Sequence, residues 1–449
     1  MSKQPLHLNF VIRAHGSHEG GWRLTKTAPQ DLTSTNYYAK LVKTAERGLF
    51  DTVFLTDMLK QSENPTEALQ WPLDPLLLMG ALSVETDHIG LIATHSTTFN
   101  APFNTARLFA SLDHLSNGRA GWNIVTSTGD DTARNFGDKQ IVSHDDRYRR
   151  AQEYIEAVLA LWHAWDDDAV AGDKEAGRLV REAAIHAVNY QGEFYATQGP
   201  LNTPATPQRV PLLSQAGASG PGRDLAARYA DVVYAFHSGL EDAHAYRKDL
   251  RQRASALGRN PDELRLLPGI VPYLASTEAE ARQLRNELFE LGNPDGQLAN
   301  ASQLFGLELE KKHLDAPVDW ERIKERKEHW IEREKVERIL QAHEAGRTYS
   351  TLRDLLLDLD FRFQHRSLVG TPEDIADYIE QGYRGEAFDG VSIIPPYLPE
   401  GLDIFVDTVV PILQARGLHK TTYGAGPLRQ RLGLRQWTVD RSTFTKHYK

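Results

Sequence analysis

A TIM-like (β/α)8 barrel with insertions is the fold class this sequence predicts, on three observations. Eight short apolar, β-branched runs recur along the chain, the number such a barrel needs. Amphipathic stretches lie between them, which is the pattern of βα units around a parallel sheet. The chain has 449 residues and 41% hydrophobic content, more than one ordinary core holds unless a barrel is enlarged by insertions. One domain spanning 1–449 is expected.

The runs fall at 6–12, 52–56, 89–94, 121–126, 210–215, 232–236, 264–274 and 390–394, and read as buried strands. Between them the apolar spacing follows a 3.6-residue period. Thr105, Leu108, Phe109, Leu112 and Leu115 form one such stripe, and Ala151, Tyr154, Ile155, Val158, Leu161 and Trp162 another. A third, Phe405, Val406, Val409, Ile412 and Leu413, stops at Gly417 as a helix should. Two segments break the repeat and read as insertions. Residues 166–207 carry a hairpin-like 188–195 with Gln191-Gly192 at its turn, and 293–365 is dominated by a highly charged helix around 320–345, read as solvated and laced with salt bridges. The basic segment 418–449 is expected to be an arm that packs on the barrel or on a second subunit.

A formal net charge of −10 gives no footprint for nucleic acid or an anionic membrane, so an anion must be held by local features. The absence of cysteine excludes disulfides, thiolate metal sites and thiol nucleophiles from this chain. No run approaches the ~18 apolar residues of a membrane span, and no secretory leader is evident, so a cytoplasmic location is expected.

In a barrel of this kind the active site lies at the C-terminal ends of the strands. Asp57 follows the second run; Thr94, His95 and Ser96 close the third; Asn123, Thr126 and Ser127 lie in and after the fourth. Each could also be a turn or capping residue. After the fifth run comes Ser214-Gln215-Ala216-Gly217-Ala218-Ser219-Gly220-Pro221-Gly222, leading into a helix. Glycines let the backbone approach a ligand, and a helix N-terminus offers free N–H groups to a phosphate, with Ala218 and Ser219 beside it. The alternative is an ordinary βα turn capped by Ser219.

A P-loop and H-E-x-x-H are absent, and Gly217-Ala218-Ser219-Gly220-Pro221 misses the nucleophile elbow at its last position. His15 and His18 lie three apart in a glycine-rich loop and could ligate a metal with Asp57, which keeps a metal-dependent barrel hydrolase open as an alternative. No metal site is expected.

The block Gly118-Arg119-Ala120-Gly121-Trp122-Asn123-Ile124-Val125-Thr126-Ser127, followed by Ala133-Arg134-Asn135-Phe136-Gly137, closely resembles the nitrilotriacetate, EDTA and dibenzothiophene-sulfone monooxygenases, a branch of the bacterial-luciferase-like flavin enzymes. The resemblance continues through Ser111-Leu112-Asp113-His114-Leu115-Ser116, the loop at 215–222, Gly370-Thr371-Pro372-Glu373 and Leu428-Arg429-Gln430-Arg431-Leu432-Gly433-Leu434. It implies a monooxygenase that receives reduced FMN from a separate NAD(P)H-dependent flavin reductase and uses O2 to oxidise a small organic substrate. It also implies a homodimer or homotetramer. Carried over by position, Asp57 and Thr94 would lie by the isoalloxazine ring, Asn123 on the ring or ribityl chain, and His144, Tyr148 and Ser219 at the ribityl phosphate region. His15, His18 and His95 are candidates for handling the proton of the oxygen chemistry, because histidine titrates near neutral pH, and Trp22 for walling the pocket. The N-terminal loop around them varies within the branch. An F420-type reductase of the same fold and a flavin carrier remain as rival readings.

Overall fold

A computed structural model describes residues 5–24, 29–61, 72–237, 239–344, 346, 349–359 and 365–437. Nine parallel strands form the main sheet: β1 (His7–Ile12), β2 (Thr52–Leu55), β3 (Gly90–Ser96), β4 (Ala120–Val125), β5 (Leu212–Gln215), β6 (Val232–Ala235), β7 (Arg265–Leu274), β8 (Arg366–Gly370) and β9 (Gly390–Ile393). Eight of them close into a barrel in the order β1-β2-β3-β4-β5-β6-β7-β9, with β9 returning to β1. These eight are the predicted runs. The ninth, β8, is an addition: it pairs with Ile270–Leu274, beyond the part of β7 that pairs with β6.

Alternation along each strand divides the core in two. Val11, Phe54, Ile92, Leu212, Tyr234, Leu267 and Ile394 meet inside the barrel. Their neighbours Phe10, Val53, Leu91, Trp122, Leu213, Val233 and Ile393 face the surrounding helices.

The principal helices are α1 (Thr35–Arg47), α2 (Pro75–Leu82), α3 (Pro102–Leu115), α4 (His144–Trp162), α5 (Gly220–Tyr229), α6 (Leu240–Ala256), α7 (Glu278–Leu291) and α8 (Pro372–Arg384). The predicted stripe of α4 is buried throughout. That of α3 is not: Thr105, Phe109 and Leu112 are buried, whereas Leu108 and Leu115 are 45% and 61% exposed. The third stripe forms a helix that runs from Glu400 to Ala415 with a π-helical turn at Phe405–Val409, just before Pro411, which has no N–H to give the helix ladder.

Both insertions differ from their sequence readings. The first carries two antiparallel ribbons, Val170–Asp173 with Arg178–Val180 and Tyr190–Gln191 with Ala196–Thr197, so its hairpin turns later than Gln191-Gly192. In the second, the charged segment is broken into Trp320–Glu325 and Arg333–Glu344. Ile323, Val336, Ile339 and Leu340 are buried there with Phe289, Leu304, Phe305 and Leu355, so the segment belongs to a packed helical cluster with its own core and is not a solvated helix.

The described part of the C-terminal arm packs on the barrel; residues 438–449 lie outside the described residues. Leu428, Leu432 and Leu434 join the interior cluster from the N-terminal ends of the strands. Leu428 N donates to Gly118 O at 2.8 Å, and a Cβ on Gly90 would lie 2.6 Å from Leu428. Buried Arg429 pairs with Asp231, just before β6, at 2.9 Å. The arm therefore stoppers the floor of the barrel, opposite the end where the candidate residues lie.

Candidate active site

Thr94 and Asn123 stand side by side on β3 and β4, in register and facing inward. Thr94 Oγ1 donates to Leu55 O at 2.8 Å and accepts from Asn123 Nδ2 at 2.9 Å, which fixes the amide. Asn123 Oδ1 is then buried without a hydrogen-bond partner. Such an orphaned acceptor costs about 1–3 kcal/mol, which a ligand N–H would offset.

A cavity of about 240 Å³ opens at these strand ends, lined by Asp57 and Met58 after β2, Ile124–Thr128 at the end of β4, Tyr148, Gln215 at the end of β5, and Ala216 and Gly217 after it. Burial pushes the Asp57 carboxyl up to about 6, against the opposing hydrogen bond from Met58 N and with a further upward push from Asp74.

At the other edge of the cavity, the chain crosses itself closely before α5. A Cβ on Gly217 would lie 2.8 Å from Gly222 Cα, and one on Gly222 would lie 3.0 Å from Tyr148 Oη. Tyr246 Oη pins the loop by donating to Gly217 O at 2.8 Å. Ser219 caps α5, accepting from Gly222 N at 3.2 Å, and its own O–H is left to donate. The capping reading and the phosphate reading of Ser219 are thus compatible. Ala218 lies one residue before it in the loop. His144 is the first residue of α4, capped by Ser143, with its ring 4.9 Å from that of Tyr148. Asp57 and Tyr148 meet at one cavity, Ser219 caps the helix whose first turn, at Gly222, lies beside Tyr148, and Thr94 and Asn123 form the barrel wall next to Ile124 of the cavity lining.

The three candidate catalytic histidines are not brought there. Because Thr94 faces inward, His95 faces the helices: its ring lies edge-on to Phe109 at 5.9 Å, and burial pushes its pKa down to about 4. His15 is buried against Tyr37, at 6.2 Å between ring centroids, with its pKa lowered by burial. His18 Nδ1 accepts from Gly20 N at 3.1 Å, and its ring packs on Gly292. Their loop is clamped to the segment after β9, with Ser17 N donating to Pro395 O at 2.9 Å and His18 N to Pro396 O at 3.0 Å. Gly16, at φ +119°, makes that approach possible, since its Cβ would lie 2.4 Å from Pro396 O. Trp22 is 38% exposed at the end of this loop.

Sequence reasoning missed a second group inside the barrel. Tyr234 Oη lies 2.7 Å from His365 Nε2 and hydrogen-bonds Arg13. The available signal was Gly269: a glycine inside a strand marks a close approach, and its Cβ would lie 2.4 Å from His365 Nδ1. No group of three or more His, Asp or Glu residues able to hold a metal occurs among the described residues.

A closed parallel barrel with an anion-ready helix N-terminus and an unfilled hydrogen-bond acceptor at its mouth defines a barrel protein that binds a phosphorylated cofactor. Comparison with known proteins makes the class specific. The family description "luciferase-like monooxygenase" matches residues 14–390. Nitrilotriacetate monooxygenase component A of Aminobacter aminovorans is 42% identical, over 96% of this chain and 97% of that protein. The crystal structure of DmoA from Hyphomicrobium sulfonivorans superposes with a TM-score of 0.84 at 28% identity, covering 99% of this chain and 96% of that one. A riboflavin lyase solved with modified FMN and riboflavin gives 0.79 at 29% identity, covering 96% of each chain. The chain belongs to the luciferase-like monooxygenase family. It is a flavin-dependent monooxygenase that works with FMN, the oxygenase component of a two-component system acting on a small organic substrate.

Proposed function

We propose that FMN is held between the α5 N-terminus and the inward faces of β3 and β4. Ser219, Ala218 and Tyr148 would take the phosphate, with His144 at its outer edge, and Asp57, Thr94 and Asn123 would take the ring. The observation that carries this reading is the unpartnered Asn123 Oδ1, an acceptor suited to a flavin N–H, in a barrel whose cofactor loop is narrowed by Gly217 and Gly222. Reduced FMN, when bound, supplies the chemistry that activates O2 for transfer of one oxygen atom. The protein's part is to orient ring and substrate and to limit water at the mouth. Asp57 can hold or release a proton near neutral pH.

In this reading the whole chain is one domain, and the protein works in the cytoplasm beside the flavin reductase that feeds it. It does so as a homodimer or homotetramer. Support for assembly comes from exposed apolar side chains on two helices that pack together: Leu77 and Val84, at and just after α2, are 77% and 78% exposed, and Leu108 and Leu115 on α3 are exposed as well. No helix among the described residues is long and apolar enough to cross a membrane.

The test is an anaerobic fluorescence titration with FMN, oxidised and reduced. Ser219→Ala should weaken binding roughly tenfold, as for a lost hydrogen bond to a charged group, and Asn123→Ala roughly fivefold. Failure of the wild-type protein to bind flavin in either redox state would overturn the assignment.

A further inference from the structure

A second cavity, of about 580 Å³, lies at the floor of the barrel, between the starts of the strands and the C-terminal arm and at the opposite end from the candidate active site. His7 begins β1 and Arg265 begins β7, and both line it, together with Gly433, Leu434 and Arg435 of the arm. Alternation puts His7 in phase with Val11 and Arg265 in phase with Leu267, on the inward face, and the two residues are buried, at 2% and 7% exposure. His7 Nδ1 lies 3.4 Å from Asp51 Oδ2, and Nε2 has no hydrogen-bond partner. An arginine carries five N–H donors. Those of Arg265 reach only backbone carbonyls, Asp262 O and, at 3.5 Å, Leu432 O, and Nε has no partner. The nearby carboxylates are committed to other cations, Asp389 to Arg247 at 2.8 Å and Asp262 to Arg251. Glu386 acts on Arg247 as well, and Glu263 on Arg259. Arg265 is thus a buried cation without a carboxylate of its own, and burial works against its charge.

We propose that this cavity binds the oxyanion group, phosphate or carboxylate, of a small metabolite, with Arg265 as the anchor and Arg435 closing over the ligand from the arm. A guanidinium pairs with either group through parallel N–H bonds, and His7 Nε2 accepts from a ligand O–H or, when the ring is protonated, donates to its oxygen. The volume falls within the range of about 300–1,000 Å³ that small-molecule sites occupy, and it exceeds what one buried water fills. The site is not a second active site, because the reacting groups of a barrel gather at the other ends of the strands. A ligand that touches barrel and arm at once stabilises the docked arm, and so acts as an effector.

Calorimetry with inorganic phosphate and citrate as probes tests this on protein saturated with FMN, so that the flavin phosphate does not compete, at constant ionic strength and with sodium chloride as the blank. The wild type should bind one oxyanion per chain beyond the blank. Arg265→Met should weaken that binding at least about tenfold and Arg435→Ala a few-fold, with FMN affinity unchanged in both. Hydrogen exchange locates the event: the amides of Gly433, Leu434 and Arg435 should slow when the oxyanion is bound. Preference for phosphate assigns the ligand to the phosphate esters, and preference for citrate to the polycarboxylic acids. Binding of neither probe overturns the proposal, as does binding that slows no amide at 433–435 or that is unchanged in Arg265→Met. Should Arg265→Met fail to fold, Arg435→Ala on the exposed arm decides, and unchanged affinity there overturns the proposal too.

Discussion

Asp57 makes the folded protein less stable as pH rises. Its carboxyl is held near 6 against an ordinary 3.8, so the fold favours the protonated form. The native state binds more protons than the unfolded chain between about pH 4 and 6; stability falls across that window, and the loss is complete above it. Asp57→Asn should therefore melt higher than the wild type at pH 8 by on the order of 1 kcal/mol after solvent screening, with a smaller gain at pH 5. Scanning calorimetry at both values decides: a gain independent of pH would mean the charge is not the cause. At this scale the sequence was informative wherever a polar residue follows an apolar run, as with Asp57, Thr94, Asn123 and Ser219. It was uninformative on the phase of alternation. Thr94 and His95 are adjacent and equally polar, and only the paired sheet determines that the first points inward and the second at Phe109. His365 was beyond reach for another reason: it meets Tyr234 across 131 positions, with an insertion between them.

The loop before α5 joins local conformation to ligand binding. A Cβ on Gly222 would lie 2.9 Å from Gly217 Cα and 3.0 Å from Tyr148 Oη, so a methyl group there has backbone on one side and the phenol oxygen on the other. Gly222→Ala should cost about 1–3 kcal/mol of stability through overpacking and weaken FMN by a larger factor than Ser219→Ala, because it displaces the loop as well as a single donor. Thermal shift with and without FMN measures both; a variant with native affinity would show that the crossing does not shape the site. The barrel strands were legible because both of their faces are buried and their runs are continuous. β8 was not, since Arg366-Ser367-Leu368-Val369-Gly370 offers just two consecutive apolar residues. In the second insertion, charge concealed a readable signal. Val336, Ile339 and Leu340 have helical spacing and are buried, but acidic and basic neighbours dominate the composition.

For the whole molecule, the exposed leucines and valine on and beside α2 and α3 give assembly a location. Leu77→Glu combined with Leu115→Glu should shift the protein toward monomer in sedimentation velocity while leaving the fold intact, since both side chains are already more than half exposed. An unchanged mass would place any interface elsewhere. Length and the count of apolar runs were enough to foresee the barrel, but the direction from which the arm enters it was not in the sequence, because nothing local to 428–434 specifies partners as distant as Gly118 and Asp231.

That arm also bears on the order of events during synthesis. Leu428, Leu432 and Leu434 leave the ribosome after every strand whose lower end they seal, so a nascent barrel exposes its underside, around Thr52, Gly90 and Gly118, until all of its strands have been made and the arm follows. Contacts of such long sequence separation form slowly. The interval before the floor closes is when the newborn protein is most open to aggregation and most dependent on chaperones.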